Sequence, residues 1–188
     1  MPLVNAGYPD PNPNWTSNGK VLIPETLDRR HTTNDETAVL TTQVMLSAAI
    51  SLPTGTVVNK IGFITGATAG ATMTNWWVAL YSSAATPALI AQSADQTSGA
   101  IAASTAIEVS LATAQTITAS GTYYVALMVK ATTVPSLVFK TLPVAAISTG
   151  RTGQSILVQT SGSALTATAP ATIATPTTTT KIPYMYVV

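Results

Sequence analysis

The residues best suited to chemistry lie in one short stretch near the N-terminus. The only histidine, His31, is followed by Asp35 and Glu36. An imidazole beside two carboxylates can hold a metal ion or act as a general base. The same stretch is densely charged, which is also typical of a solvated connector. We interpret it as a connector, and we predict no metal, no cofactor and no catalytic histidine.

A second set of candidate catalytic residues is the carboxylate pair Asp95 and Glu108. Glycoside hydrolysis requires two carboxyl groups that face each other across a cleft. These two lie on separate predicted turns or strands, and no feature of the sequence places them opposite each other. We therefore interpret them as isolated surface acids and predict that the protein is not an enzyme.

The aromatic residues are concentrated in two similar segments, residues 76–81 and 123–128, in which two aromatic residues precede Val-Ala-Leu. Large side chains alternate along both segments, which predicts β-strands. One aromatic residue of each pair then faces the core, and the other faces a sister subunit or, less favoured, a sugar ring. Each segment is followed by a proline, Pro87 or Pro135, so we predict two hairpins of the same design. The candidate contact residues are Trp76, Trp77, Tyr123 and Tyr124.

The composition points to a protein that associates with copies of itself. The chain has 188 residues, of which 46% are hydrophobic and 8% are charged, and its net charge is +1. About a quarter of the residues are charged in a typical soluble domain. With so few charges, electrostatic repulsion between separate molecules is weak, which favours self-association. A neutral domain that is simply soluble is the alternative. We predict no nucleic-acid binding, since basic clusters are lacking, and no membrane insertion.

Residues 1–37 differ from the rest of the chain and predict an extended, charged arm. The prolines at 9, 11 and 13 exclude a helix or an interior strand, and residues 20–36 carry seven of the fifteen charges. Trp15, Arg29 and Arg30 are candidate anchors on a partner, because Trp and Arg are frequent at interfaces. An arm folded back on its own domain is the alternative.

Residues 38–188 predict one all-β domain, a jelly-roll-like two-sheet sandwich of eight or more antiparallel strands. Residues 166–181 are rich in Thr and Pro, and we expect an extended connector that buries little. Residues 182–188 are expected to form a terminal strand, docked on its own sheet or on a neighbour's, with Tyr184 and Tyr186 as candidate interface residues. The predicted strands are 38–47, 56–65, 74–82, 88–93, 104–111, 114–118, 121–130, 135–140, 155–160 and 182–188.

The combination of motifs resembles small β-sandwich proteins of actinobacterial tailed phages, which are labelled minor tail, head-fibre or decoration proteins. The resemblance covers most of the chain from about residue 15 onward. It implies a non-enzymatic component of the virion exterior, without fixing a capsid or tail position. The motifs lie at residues 15–19, 27–30, 61–66, 76–81, 91–95, 121–129, 134–137 and 182–184.

These observations lead to three functional hypotheses. The first is a structural virion protein that forms a trimer or a ring and attaches through its arm to other capsid or tail proteins. The second is a carbohydrate-binding module for host adhesion, which would use the exposed aromatic residues on a cell-surface glycan. The third, a glycosidase acting through Asp95 and Glu108, is the least favoured.

Overall fold

A computed structural model of the chain describes residues 23–36, 40–147 and 155–188. Within these ranges the chain forms twelve β-strands, one turn of 3-10 helix at Arg29–His31 and one short helix, α1, at Val144–Ile147. The strands are β1 (Thr33–Glu36), β2 (Met45–Leu52), β3 (Val57–Ile64), β4 (Asn75–Tyr81), β5 (Leu89–Gln92), β6 (Ala106–Thr116), β7 (Gly121–Lys130), β8 (Leu137–Thr141), β9 (Val158–Ser161), β10 (Thr177–Thr178), β11 (Lys181–Pro183) and β12 (Met185–Val187).

Six of these strands form one large sheet in the order β10-β9-β2-β7-β4-β5, and all neighbours are antiparallel. The two similar aromatic segments are β4 and β7, and they pair directly with each other. Val78 lies opposite Leu127, and Ala79 lies opposite Ala126. Both segments are therefore strands, as their alternation predicts, and they occupy the middle of the sheet.

Two three-stranded sheets, β12-β3-β6 and β1-β8-β11, cover one face of the large sheet. An isolated bridge between Thr65 and Leu137 joins them. Ile61 and Phe63 of the first sheet and Phe139 of the second belong to the same buried cluster as the facing side chains of the large sheet. The chain is thus an antiparallel all-β sandwich, and the predicted fold class is confirmed.

The prediction of two equivalent hairpins is only half correct. Pro87 precedes β5, which pairs with β4 as expected. Pro135 precedes β8, which pairs with β1 and β11 instead of β7. The reason is that both edges of β7 are already occupied, by β2 on one side and by β4 on the other.

Several strand boundaries also differ from the predicted ones. The first core strand is Met45–Leu52, whereas residues 38–47 were predicted. The predicted strands 104–111 and 114–118 are one continuous strand, β6, which bulges opposite the Val58–Lys60 part of β3. The terminal strand is divided into β11 and β12, so that the end of the chain passes from one small sheet to the other.

The other face of the large sheet is covered by residues 165–176, which we call the strap. Trp77 donates a hydrogen bond from Nε1 to the backbone oxygen of Thr166 at 2.7 Å, and the Tyr81 hydroxyl donates to the backbone oxygen of Pro170 at 2.8 Å. Ala169 and Ile173 of the strap are buried against the same face. Most residues between 166 and 181 are exposed or half-buried, as expected, but the strap also supplies two buried apolar side chains and two carbonyl acceptors that the expectation missed.

Candidate partner-binding site

Several predicted partner-binding residues lie in or against residues 23–36, which we call the N-terminal segment. Residues 24–26 lie along β12 and extend the β12-β3-β6 sheet, called the small sheet below, whereas β1 at the other end of the segment pairs with β8. Backbone bonds join the Thr26 amide to the Met185 oxygen at 2.9 Å and the Val187 amide to the Pro24 oxygen at 3.1 Å. The Thr26 hydroxyl also donates to the Pro183 oxygen at 2.7 Å. The described part of the predicted arm is thus folded onto its own domain.

Two tyrosines of the terminal strand hold this segment from the side. The Tyr184 hydroxyl donates to Glu25 Oε2 at 2.7 Å. Its ring lies 5.8 Å from the Tyr186 ring, centroid to centroid. The Tyr186 hydroxyl donates to Glu108 Oε1 at 3.3 Å, and Lys60 Nζ lies 3.2 Å from Glu108 Oε2. These five side chains form a continuous row across the outer face of the small sheet, which we call the tyrosine clasp.

The clasp depends on the absence of a side chain at Gly62. Gly62 and Tyr186 are directly paired on neighbouring strands, and the Tyr186 ring lies over the glycine. A Cβ atom at position 62 would lie only 2.7 Å from Tyr186 Cε1. Glycine in the interior of a strand is typical of such a close approach. The ring can therefore lie flat enough to reach Glu108 only because position 62 has no Cβ.

The electrostatic surroundings keep both tyrosines protonated. Burial raises the pKa of Tyr184, and the hydrogen bond and the charge of Glu25 raise it further, while Arg29 opposes the shift. Burial also raises the pKa of Tyr186, with an added contribution from Glu108. A protonated phenol is a donor to a carboxylate. The clasp therefore acts as a hydrogen-bonded fastening, and its tyrosines are poor candidates for a base or a nucleophile.

The five residues that were predicted to contact a partner differ in their exposure. Arg29 is exposed, as a partner contact requires. Tyr184 and Tyr186 are only 6% and 8% exposed, so the prediction that they contact another molecule is wrong for this arrangement: Tyr184 binds Glu25 of the chain's own N-terminal segment, and Tyr186 binds Glu108 of β6. Trp15 and the Arg30 side chain lie outside the described residues.

The predicted catalytic and metal-binding combinations are not assembled in the part of the chain that the structure describes. His31 is exposed at the end of the 3-10 turn, and its amide is bonded to the Asp28 oxygen at 2.8 Å. Residues 23–36, 40–147 and 155–188 contain no group of three metal-binding side chains close enough to hold an ion. The side chains of Asp35 and Glu36 lie outside the described residues.

Asp95 and Glu108 have separate partners. Asp95 accepts hydrogen bonds from Asn75 Nδ2 at 2.6 Å and from the Trp76 amide at 3.0 Å, so it fastens a turn to the start of β4. Glu108 belongs to the tyrosine clasp. Each carboxylate therefore has a local structural role, and this arrangement provides no support for a glycosidase.

All four residues proposed for a sugar or subunit contact are buried. Trp76 and Tyr123 lie in the cluster between the two sheet layers, and Trp77 and Tyr124 lie beneath the strap. The expectation that one aromatic residue of each pair faces outward is wrong, because the strap covers the second face of the sheet.

The sequence reasoning missed Glu25 and Lys60, which belong to the clasp, and Thr26 and Gly62, which support it. A glycine inside an alternating strand was the only available signal, and it indicated a close approach without naming the approaching ring.

Comparisons with known proteins leave the family of the chain open. No protein-family model matches the sequence, and no curated protein matches it either. In the described parts of the chain, no helix is both long and apolar enough to cross a membrane.

Proposed function

We propose that the protein is a structural component of a phage particle, exposed on the capsid or tail and self-associated as a trimer or a ring. The observation that carries the proposal is the position of the N-terminal segment. The tyrosine clasp fixes this segment against the last strand, so residues 1–22 are attached to the domain at a defined place. An arm attached in this way suits a protein that is anchored to an assembly through its N-terminus.

The end of the small sheet supports contact with sister copies. Ile23, Val57 and Val188 are 44%, 48% and 41% exposed. Val188 exchanges backbone bonds with Lys60, and the neighbouring Val187 is bonded to Pro24. The three aliphatic side chains thus belong to adjacent strands at one end of the sheet. Burying such surface contributes about 25 cal/mol per Å², and the charge of the adjacent Lys60 is paired with Glu108 at 3.2 Å.

The sugar-binding alternative is not part of this proposal in its original form. It required exposed rings among Trp76, Trp77, Tyr123 and Tyr124, and the strap and the small sheets bury them.

Two N-terminal deletions test the proposal. Removal of residues 1–22 leaves the clasp intact, so we expect a folded domain with a nearly unchanged melting temperature that no longer enters particles. Removal of residues 1–32 also deletes Glu25 and Thr26, which uncovers two buried tyrosines. We expect the longer deletion to lower the melting temperature by several degrees, on the order of that produced by about 2 kcal/mol in a domain of this size.

Thermal unfolding, light scattering of the purified protein and incorporation into assembling particles are the measurements. The full-length chain is the matched control for incorporation, and it should be a trimer or a ring in solution. Normal incorporation of the 1–22 deletion would contradict anchoring through the arm. A monomeric full-length chain at high concentration would contradict self-association.

A further inference from the structure

A cavity of about 650 Å³ lies on the strap side of the large sheet, away from the tyrosine clasp. Its floor includes Tyr124 on β7 and Gln159 on β9. Strand pairing places both on one face of the sheet, since Gln159 lies opposite Ser47 on β2 and Tyr124 lies opposite Ala49 on the same strand. The walls are residues 85–87 from the β4–β5 turn, residues 155–156, and residues 173–176 from the end of the strap.

The lining of the cavity combines neutral polar groups with small apolar ones. Not one of its eleven residues carries a charge. The volume lies within the range of about 300–1,000 Å³ that small-molecule sites occupy. Apolar contacts come from prolines, alanines and isoleucines. The polar side chains, all able to donate and accept hydrogen bonds, are Thr86, Tyr124, Ser155, Gln159 and Thr175.

Gln159 is unusual for a purely structural surface, and Thr175 has the left-handed backbone that Thr72 and Thr97 also adopt in other parts of the chain. Gln159 is only 2% exposed and places an amide among Ala, Ser and Tyr side chains of the covered sheet face. Thr175 has a backbone φ of 42°, which is costly for a β-branched residue. Strained backbone of this kind is concentrated at ligand-binding sites. A buried amide and a strained wall residue at one cavity favour a site that receives a ligand.

We propose that this cavity binds a neutral saccharide, a monosaccharide or the end of a short glycan. A charged ligand would lose its hydration with no opposite charge to pair with it. A purely apolar ligand would leave the amide and the hydroxyl groups without partners. A neutral sugar has hydroxyl groups for the polar side chains and C–H faces for Pro87, Ile173 and Pro176. The Tyr124 hydroxyl donates to the Ile156 oxygen at 2.9 Å and is also hydrogen-bonded to the Ser155 side chain, which leaves Thr86, Gln159 and Thr175 as the polar side chains that meet the sugar.

This site differs from the aromatic sugar platform considered from the sequence, because it uses hydroxyl and amide groups in a cavity instead of exposed rings. It is also independent of the proposed role in a virion, since a protein of any assembly could bind a sugar here. If the virion role holds as well, the cavity supplies a contact with cell-surface glycans.

The first test is a titration of the full-length protein followed by amide chemical shifts. The probes are glucose, galactose, mannose, N-acetylglucosamine and cellobiose, with galacturonate as a charged comparison. We expect at least one neutral sugar to bind at least tenfold more tightly than galacturonate and to shift the amides of Ala85, Thr86, Gln159 and residues 173–175. No saturable shift with any neutral probe, or equally tight binding of galacturonate, would overturn the proposal.

A steric variant tests whether any binding occurs in this cavity. Ala85→Trp introduces a large side chain at an exposed residue that lines the cavity, and Ala84→Trp places the same side chain at an exposed neighbour outside the lining. We expect the first to weaken binding at least tenfold and the second to leave it within twofold of the original protein. Equal binding by both variants would place the sugar elsewhere and overturn the proposal.

The role of the buried amide is tested by Gln159→Leu, which keeps the approximate volume and removes the hydrogen-bonding groups. Gln115→Leu on β6 is the matched control, since Gln115 lies outside the cavity lining. We expect at least a tenfold weaker affinity for the first variant only. Should Gln159→Leu fail to fold in a thermal-unfolding assay, the Ala85 and Ala84 pair decides the question by itself.

Discussion

The two faces of the large sheet are both buried, but different kinds of chain cover them. One face packs against regular strands of the two small sheets through aliphatic side chains together with Phe63, Trp76, Tyr123 and Phe139. The other is covered by the strap, which contains no extended strand between Leu165 and Pro176. There the sheet contributes Trp77, Tyr81 and Tyr124, together with small Ala and Met side chains.

The comparison shows how a low-complexity segment can complete a core. An irregular chain has backbone groups without sheet partners, and such groups must be satisfied when they are buried. Trp77 and Tyr81 satisfy two of them by donating to the strap carbonyls of Thr166 and Pro170. The Gln92 side chain does the same by accepting from the Ala169 amide at 2.8 Å. Polar side chains of the sheet therefore supplement the little strand pairing that the strap makes, an isolated bridge between Thr172 and Ala88.

The largest expected effects come from truncating one large side chain on each face of β4. Trp77→Ala opens a cavity beneath the strap, and Leu80→Ala opens one between the sheet layers; both residues are fully buried. We expect losses of about 3–5 kcal/mol and about 2–5 kcal/mol in the free energy of unfolding, respectively. Denaturant unfolding measures both losses.

Hydrogen exchange distinguishes the two variants beyond their stability. Trp77→Ala should accelerate exchange of strap amides, such as Ala169 and Ile173, more than exchange in β2 or β7, because the strap loses its largest contact. Leu80→Ala should accelerate exchange throughout the sandwich to a similar degree. A small cost for Trp77→Ala, below that of surface substitutions, would show that the strap does not form part of the core.

Much of the sandwich was predictable from the sequence because alternation is a local property. The period of two in β4 and β7 identifies them as strands, and the proline before β5 marks the turn between β4 and β5. The pairing of β8 with β1 and β11 was not predictable in this way. It depends on which strand edges remain free after the central strands have paired, and that is settled by the whole chain.

The strap and the tyrosine clasp were beyond the reach of pattern analysis for a different reason. The strap residues Thr166 and Pro170 act through backbone oxygens, which every residue type has, so their side chains carry no signal. Glu25 and Tyr184 are separated by most of the chain, and no local pattern connects an acid with a distant tyrosine. Low charge and Thr/Pro content gave no information on which surfaces face each other.

An intermediate effect is expected from a substitution on the outer face of the small sheet. This face is covered by the tyrosine clasp, in which the Tyr186 ring lies over Gly62. Gly62→Ala introduces a Cβ beneath the Tyr186 ring and should displace it. We expect a loss of about 1–3 kcal/mol, which is typical of overpacking. Gly121→Ala is the matched control, because its Cβ would lie 3.4 Å from Ser83, an ordinary contact, and we expect a change below about 1 kcal/mol.

Thermal and denaturant unfolding measure the Gly62 effect, and deletion of residues 1–22 in the same background separates the domain from the arm. Equal stability of the two alanine variants would mean that the Tyr186 ring moves aside without cost. In that case the Tyr186 ring would be packed less tightly against the small sheet than the strap is against the large sheet.

The smallest expected effect is that of a single hydroxyl group beneath the strap. Tyr81→Phe removes the donor to Pro170, and Tyr123→Phe, on the opposite face of the sheet, removes the donor to Ala119 at 2.8 Å, four residues away. A net hydrogen bond contributes about 0.5–1.5 kcal/mol. We expect Tyr81→Phe to cost about 1 kcal/mol at neutral pH and to accelerate exchange of strap amides, whereas Tyr123→Phe should affect only the turn before β7.

Alkaline pH sharpens the Tyr81 prediction. Burial raises the pKa of Tyr81 above its ordinary value of 10.0, so the folded protein holds this proton more tightly than the unfolded chain. The stabilisation associated with the protonated hydroxyl is therefore complete below pH 10 and is lost as the pH rises above it. Tyr81→Phe lacks this titration, so its stability should fall less steeply between pH 10 and 11 than that of the original protein. Parallel stability profiles in urea unfolding over this range would contradict a raised pKa at Tyr81, and with it the dry contact between the strap and the sheet.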